Sequence, residues 1–326
     1  MKSSVATSVR FIVLLLAVST LPSCNNSGTP QVPAIPPVGN WVQTNGPYGG
    51  VDALSLIGSR LFDGSSNIVF FSDNNGVSWS STTTGPNIGA GVFASSGSRI
   101  YAGTGGQGMF YSDNNGASWK SANRGLGNLF VTALVGTIPY VYAGAGDGFY
   151  VMTSDTGGPR WTNSSSGMVN RFVTCLAVDG STILAGTEGG VFRSTNGGSS
   201  WSAANAGLTN YNIRCIAVSG SDFYVGTQGA GVFHSADDGS NWSSVNNGWS
   251  STHDGMTNAT VSSLFLNGTN LFAGASGELY HSTDKGANWI SSGKGLPPTN
   301  ITAFALNGAT LFAGTSTNGV WQEPMP

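Results

Sequence analysis

Charge is scarce in this chain. Asp, Glu, Lys and Arg make up 8% of its 326 residues, and the 12 basic side chains form no stripe or cluster. That excludes the phosphate-neutralising surface on which nucleic-acid binding depends. Histidine numbers three, and no His/Cys/Asp/Glu grouping has metal-ligand spacing, so neither a metal site nor a cofactor is expected. Long apolar runs are missing too. The longest, residues 11–18, is far short of the roughly 20 residues a membrane-crossing helix needs. Glycine is what the chain has in quantity, 49 residues, alongside 10% aromatics. This is the profile of many short strands joined by tight turns.

The first residues are laid out as a secretory signal: Lys2 and Arg10, the apolar stretch 11–18, then Leu21-Pro22-Ser23-Cys24. The end of this segment resembles the lipobox of bacterial lipoproteins, which implies cleavage before Cys24 and lipid on its sulfur; Pro22 departs from the usual pattern. An ordinary cleaved signal with an incidental cysteine is the alternative. Acyl chains on Cys24 would attach the protein to a membrane without a transmembrane helix. Asn25, where an inner-membrane lipoprotein would carry Asp, implies an outer-membrane or cell-surface address for an exported protein. Residues 24–38 hold four prolines between Pro30 and Pro37 and no hydrophobic periodicity, so they read as an extended tether. The division expected is a signal peptide at 1–23, the tether at 24–38 and one globular body at 39–326. Loss of the signal leaves 10 basic against 15 acidic residues.

The globular part repeats at about 40 residues, the period of a four-stranded propeller blade. One recurring phrase is an apolar strand, a turn and a second strand. Examples are Val173-Thr-Cys-Leu-Ala-Val-Asp-Gly followed by Ile183-Leu-Ala-Gly-Thr, and Ile301-Thr-Ala-Phe-Ala-Leu-Asn-Gly followed by Leu311-Phe-Ala-Gly-Thr. The phrase opens near Val51, Gly91, Val131, Val173, Ile213, Val261 and Ile301, which makes seven units. The second phrase is a hairpin: Ser72-Asp-Asn-Asn-Gly-Val-Ser-Trp79, with copies ending at Trp119, Trp201, Trp242 and Trp289 and a weaker one at 154–161 ending at Trp161.

These hairpins resemble the Asp-box, or bacterial neuraminidase repeat, written Ser-x-Asp-x-Gly-x-x-Trp. The residue types explain themselves as turn chemistry. Asn74, Asn114, Asn196, Asp237 and Asp284 can accept hydrogen bonds from their own turn, and the glycine two residues later can take positive φ. The tryptophans Trp79, Trp119, Trp161, Trp201, Trp242 and Trp289 supply aromatic plates between sheets. The fold expected is therefore all-β, a seven-bladed β-propeller. Residues 301–326 supply only three strands, whereas Gly39-Asn40-Trp41-Val42 looks like the tail of a box. The N-terminal strand should then complete the seventh blade and close the ring.

Cys175 and Cys215 occupy one column of successive units, where others have Ala53, Ala133, Ser263 and Ala303. That column reads as a packing position, with a Cys175–Cys215 bridge left open. His234 and His281 share a column with Phe71, Tyr111, Thr153, Arg193 and Gln322, a variety that reads as a solvent-facing strand position.

Loops between second and third strands should share one face of the ring with the connections between blades. They carry Asp63, Gln107, Asp147, Glu188, Gln228, Glu278 and Asn318, a polar and mildly acidic ring where ligand residues would be placed. One connection, 243–260, is longer than the rest and contains Trp249, His253 and Asp254. Trp249 either offers a stacking surface to a sugar or partner or folds back as a plug for its own loop.

Asp-box propellers include sialidases, xyloglucan hydrolases, sortilin-type receptors and photosystem II assembly factors, and the resemblance spans residues 39–326 at the level of the repeat. A sialidase would carry Arg-Ile-Pro ahead of its boxes, and no such sequence occurs here. Asp147, Glu188 and Glu278 are the candidates for paired-carboxylate glycoside cleavage, but each stands alone in its loop and no catalytic set is recognised. The function expected is that of a monomeric, lipid-anchored binding or scaffold propeller for a protein partner. The alternative is a glycan-binding or glycoside-hydrolase propeller of sialidase or xyloglucanase type.

Overall fold

The computed structural model describes residues 40–65, 68–82, 89–155, 158–249 and 259–325. The signal segment, Cys24, the tether and the loop residues His253 and Asp254 lie outside them. The described residues form seven four-stranded antiparallel sheets and no helix. Six sheets run in chain order, over 51–81, 90–121, 131–163, 173–203, 213–244 and 261–291. In the seventh, strands 301–307, 310–315 and 320–324 are joined by Val42–Gln43 from the other end of the chain. Val42 pairs with Gln322 and Gln43 with Trp321. The innermost strands of successive blades pack on one another all the way round, blade 7 against blade 1. The ring closes as the sequence predicts.

Each strand's composition follows from its place in the blade. Second strands such as Thr182–Thr187 are buried at every residue because neighbouring blades cover both sheet faces, so they read as continuous apolar and small residues. Most outer strands are two residues long and exposed, which leaves little free edge for another chain to pair with. The first strands share a register shift after their first residue. In three blades the bulged residue turns a hydroxyl onto the next blade: Thr174 Oγ1 donates to Ile213 O at 2.7 Å and Ser262 Oγ to Ile301 O at 2.7 Å. Thr132 donates likewise to Val173 O.

The boxes fold as their residue types require. The Asn or Asp oxygen accepts the backbone N–H four residues on, at 2.9 Å for Asn74, Asn114, Asn196 and Asp237 and 2.8 Å for Asp284. The box glycine has positive φ, 76° at Gly76 and 86° at Gly286, where a side chain would be strained. The opening serine, to which the sequence reading gave no role, receives the glycine N–H: Gly76 N–H donates to Ser72 Oγ at 2.9 Å, and the other four boxes repeat the bond. The weak copy at 154–161 lacks this turn, since strands Gly148–Asp155 and Gly158–Asn163 pair through to its tip. Its tryptophan is nonetheless buried, as are Trp119, Trp201, Trp242 and Trp289, while Trp79 is half-buried.

Four of the six box tryptophans stitch blade to blade through the indole N–H. Trp161 Nε1 donates to Ala122 O at 2.8 Å, Trp242 to Ala204 O at 2.9 Å and Trp289 to Val245 O at 2.7 Å, each across to the preceding blade. Trp41 does the same to Ser292 O at 3.1 Å, so the N-terminal segment completes blade 7 with the side chain as well as the strand. The core consists of such inter-blade layers. One unites Leu184, Val191 and Leu208 with Phe223, Val225 and Trp242 of the next blade.

Two expectations from the sequence differ from the structure. Asp63 is not on a loop: it lies within strand Arg60–Ser65, paired with Leu54 and Phe70, and is fully buried. Leu61-Phe62-Asp63-Gly64-Ser65 aligns with Leu311-Phe312-Ala313-Gly314-Thr315, so Asp63 stands where other blades have a small apolar residue. Ser65 Oγ donates to it at 2.7 Å, and burial pushes its carboxyl up to about 7. His281 is not solvent-facing. It is fully buried, stacked 4.2 Å from the Phe272 ring with Nε2 3.0 Å from Asn270 Oδ1, and burial lowers it to about 4. His234, in the same column, is partly exposed, with Nε2 2.7 Å from Asp222 Oδ1. Cys175 and Cys215 are free thiols at the packing column, where burial pushes Cys175 up to about 12 and Cys215 well above its ordinary value.

Glu323, which the sequence reading did not single out, occupies the position of the box serine in blade 7. It pairs with Leu311 as Ser194 pairs with Ile183. No box follows it to donate a turn N–H, neither carboxyl oxygen has a partner among the described residues, and burial pushes the group up to about 8.

Candidate ligand face

In blades 2, 3, 5, 6 and 7 backbone hydrogen bonds fasten the loop between second and third strands to an inter-blade connection, so the two sets share one face. Gly146 N–H donates to Phe130 O at 3.1 Å, Gln228 N–H to Asn212 O at 2.9 Å, Ser276 N–H to Thr260 O at 3.1 Å and Ser316 N–H to Asn300 O at 2.9 Å. Gln107, Asp147, Glu188, Gln228 and Asn318 lie on the loops between second and third strands, whereas Glu278, expected on such a loop, is the first residue of strand Glu278–Ser282 and pairs with Ala275.

Their chemistry is not uniform. Asp147 accepts from Tyr150 Oη at 2.8 Å, and that hydroxyl in turn receives Gly127 N–H at 3.0 Å. Glu278 accepts from Tyr280 Oη at 2.6 Å. Burial, and then the Glu278 carboxylate, push the Tyr280 phenol above its ordinary range. Glu188 and Gln228 are exposed, and the Gln228 carbonyl is held by Asn210 Nδ2 at 2.8 Å. Glu188 has no hydrogen bond or ion pair among the described residues. Tyrosines thus draw Asp147 and Glu278 into their own blades rather than toward each other. Among the described residues no group of three His, Cys, Asp or Glu side chains is placed to hold a metal.

Trp249 takes the second of its two expected roles. It is 7% exposed, lies flat on Tyr280 at 4.6 Å and 6°, and meets Trp289 edge-on at 5.2 Å. The cause is legible in the repeat. Gly248-Trp249 aligns with Gly125-Leu126, Gly167-Met168, Gly207-Leu208 and Gly295-Leu296, a column whose Met168 and Leu208 are also buried. Trp249 therefore fills the apolar wedge that follows every box, and its plane backs the Tyr280–Glu278 pair.

What the sequence reading missed on this face is apolar. Leu129, Phe130, Val169 and Tyr211 are 42%, 43%, 90% and 52% exposed, on three consecutive connections between blades 2 and 5. Tyr48, on the connection from blade 7 to blade 1, is 75% exposed. Asparagine side chains hold these tips. Asn128 Oδ1 accepts Phe130 N–H at 2.8 Å, Asn170 Oδ1 accepts Phe172 N–H at 3.2 Å and Asn210 Oδ1 accepts Asn212 N–H at 2.9 Å. The signal was present as Asn three residues ahead of each inner strand, with an apolar or aromatic residue inside the turn. Phe130 and Phe172 lie 6.0 Å apart and join two of the tips. Arg171 and Arg214 are exposed beside them.

Comparisons with known proteins agree with this architecture. Residues 175–300 match the family model of photosynthesis system II assembly factor YCF48. No curated protein sequence matches the chain. Among solved structures, YCF48 from Cyanidioschyzon merolae superposes with a TM-score of 0.68 at 14% identity, over 88% of this chain and 99% of that one. YCF48 bound to D1 peptide gives 0.68 at 13% identity, over 90% and 96%. PorZ, a surface component of the type-IX secretion system of Porphyromonas gingivalis, gives 0.66 at 15% identity over 84% of this chain, which spans 46% of that larger protein. At these identities the likeness is one of fold. With the repeat, the closed ring and these matches together, the chain is a seven-bladed Asp-box β-propeller that resembles the YCF48 photosystem II assembly factors.

Proposed function

We propose that the protein is an exported, lipid-anchored propeller that binds a protein partner on the face carrying the inter-blade connections, held to an outer membrane or cell surface through Cys24. The observation that carries the reading is the arc of exposed Leu129, Phe130, Val169 and Tyr211. Apolar and aromatic tips on rigid, hydrogen-bonded turns are what a protein interface buries at its centre, and exposed patches of this kind mark interaction sites. Two similar propellers support it: YCF48 has been solved with a D1 peptide, and PorZ is a surface component of a secretion system. Glu188, Arg171 and Gln228 supply the polar rim, and the buried ring beneath needs no movement to present them.

The test is cross-linking capture from native envelopes with the full chain, beside a Leu129→Ser/Val169→Ser/Tyr211→Ser variant. A specific protein retained by the wild type and lost by the variant is expected. Equal retention by both, or recovery of polysaccharide alone, would overturn the assignment. Cell fractionation of a Cys24→Ser chain tests the anchor, and unchanged membrane association would remove it.

A further inference from the structure

A repeat protein can carry a specialised site where a unit lacks a contact that several of its siblings keep. Four residues after each box tryptophan, four blades place a side chain that clamps the start of the third strand. Asn123 Oδ1 accepts Met109 N–H at 2.6 Å, Asn205 Oδ1 accepts Val191 N–H at 2.7 Å, Asn246 Oδ1 accepts Val232 N–H at 2.8 Å, and Ser165 Oγ accepts Phe149 N–H at 2.9 Å. The carboxamides also donate: Asn123 Nδ2 to Gln107 O at 2.9 Å and Asn246 Nδ2 to Ala230 O at 3.1 Å. In blade 6 the residue is Gly293. A Cβ built on it would lie 3.7 Å from the Leu279 nitrogen, so the glycine faces the N–H that its counterparts clamp but has no side chain to receive it.

A cavity of 220 Å³ opens at that point, lined by Glu278, Leu279, Leu296, Pro297, Pro298 and Thr299 among others. Glu278 and Leu279 line it beside Gly293; the Glu278 carboxylate accepts the Tyr280 hydroxyl at 2.6 Å, and Trp249 stacks flat on that tyrosine ring. Leu296, Pro297 and Pro298 form the apolar side. Thr299 N–H bonds Gly277 O at 3.3 Å and closes the far end.

We propose that this notch is a carboxamide-binding subsite, which receives an Asn or Gln side chain of the bound protein partner in the place where blades 2, 4 and 5 hold their own asparagine. The incoming oxygen accepts Leu279 N–H, the NH₂ group donates to Glu278, and the methylene stem lies along Leu296 and Pro297. A neutral amide with one acceptor and two donors matches one N–H beside one carboxylate. A lysine would use the carboxylate but not the N–H, and a glutamate the reverse. The proposal rests on the protein-binding reading above and names one element of what that partner presents.

The experiment is an NMR titration of the ¹⁵N-labelled full chain with N-acetyl-glutamine methylamide, and with the glutamate and lysine analogues as controls. A saturable shift of the Leu279 amide with the glutamine probe alone is expected, weakened in Glu278→Ala and reduced about tenfold or more in affinity in Gly293→Asn. That substitution fits without strain, because the nearest heavy atom to the new Cβ stands at 3.6 Å and the backbone φ lies outside the left-handed region. Gly293→Asn should melt no lower than the wild type, so loss of binding is not loss of fold. No Leu279 response, an equal response in Gly293→Asn, or a preference for the lysine or glutamate probe overturns the proposal. Envelope capture separates it from the parent reading. A partner lost from the apolar-tip variant but retained undiminished by Gly293→Asn leaves protein binding standing and sinks the notch.

Discussion

Two carboxyl groups, each standing where other blades have a small or hydroxylic residue, and one imidazole are buried, and each ties stability to pH. Burial raises Asp63 to about 7 and Glu323 to about 8, so the folded chain holds their protons over a range where the unfolded chain has lost them. Their stabilisation is fully present below about pH 4 and is lost as pH rises through 7 and 8. His281 works in the opposite direction. Its lowering to about 4 means that the unfolded chain takes up a proton between about pH 6.5 and 4, and stability falls as pH falls through that window. Glu323→Gln and Asp63→Asn are therefore each expected to raise stability at pH 8 by on the order of 1–3 kcal/mol and to change it little near pH 4. Denaturant titrations at the two pH values check this, and equal effects at both would contradict it. Trp249→Ala, which removes a plate stacked between Tyr280 and Trp289, should cost about 3–5 kcal/mol by the same measurement. The sequence disclosed the identity of these residues but only part of their setting. Asp63 could have been placed by strict alignment of its strand with the Ala-Gly-Thr units, and Trp249 by the Leu/Met column after each box. The burial of His281 could not, because its column holds Phe, Tyr, Thr, Arg and Gln as well.

Strands and turns were far more legible, because they answer to local rules. The box needs an acceptor two residues after a serine and a glycine two further on, and that pattern stays readable when the acceptor varies between Asn and Asp. Asn196→Ala removes the acceptor of Ser200 N–H and is expected to cost about 1 kcal/mol, measured by chemical denaturation. The Val42–Gln43 strand is the element on which closure depends. A chain beginning at residue 51 loses that strand together with Trp41 and its bond to Ser292, whereas one beginning at residue 37 keeps both. The shorter chain should melt well below the longer one and show weaker protection from proteolysis along 310–324, whose outer partner it lacks. Equal melting temperatures would show that the ring does not need its N-terminal strand. The two-residue outer strands and the bulge hydroxyls were beyond the sequence reading, since pairing across blades joins residues about 40 apart that no local pattern links.

At the scale of the whole molecule, stability and binding occupy different surfaces. Inter-blade layers of Phe, Tyr and Trp hold the ring, while Leu129, Val169 and Tyr211 stand outside every buried cluster. The triple serine variant of these tips should accordingly melt within about 2 °C of the wild type, as surface substitutions do, which makes it a clean probe of partner capture.

By itself, the order of residues determined the number of blades, the box turns and the way the ring closes. Each follows from short-range requirements: a positive φ, an acceptor two residues away, an apolar run of strand length, repeated until seven units and a spare N-terminal strand were counted. Only the tertiary structure decided which polar residues are buried and which apolar ones are not. It sealed Trp249 under Tyr280, sank Asp63, His281 and Glu323 into the blades, raised Leu129, Phe130, Val169 and Tyr211 to the surface and opened the notch beside Gly293. Those outcomes depend on what the neighbouring blade places against each side chain, and that contact is fixed by the closed ring rather than by any stretch of chain.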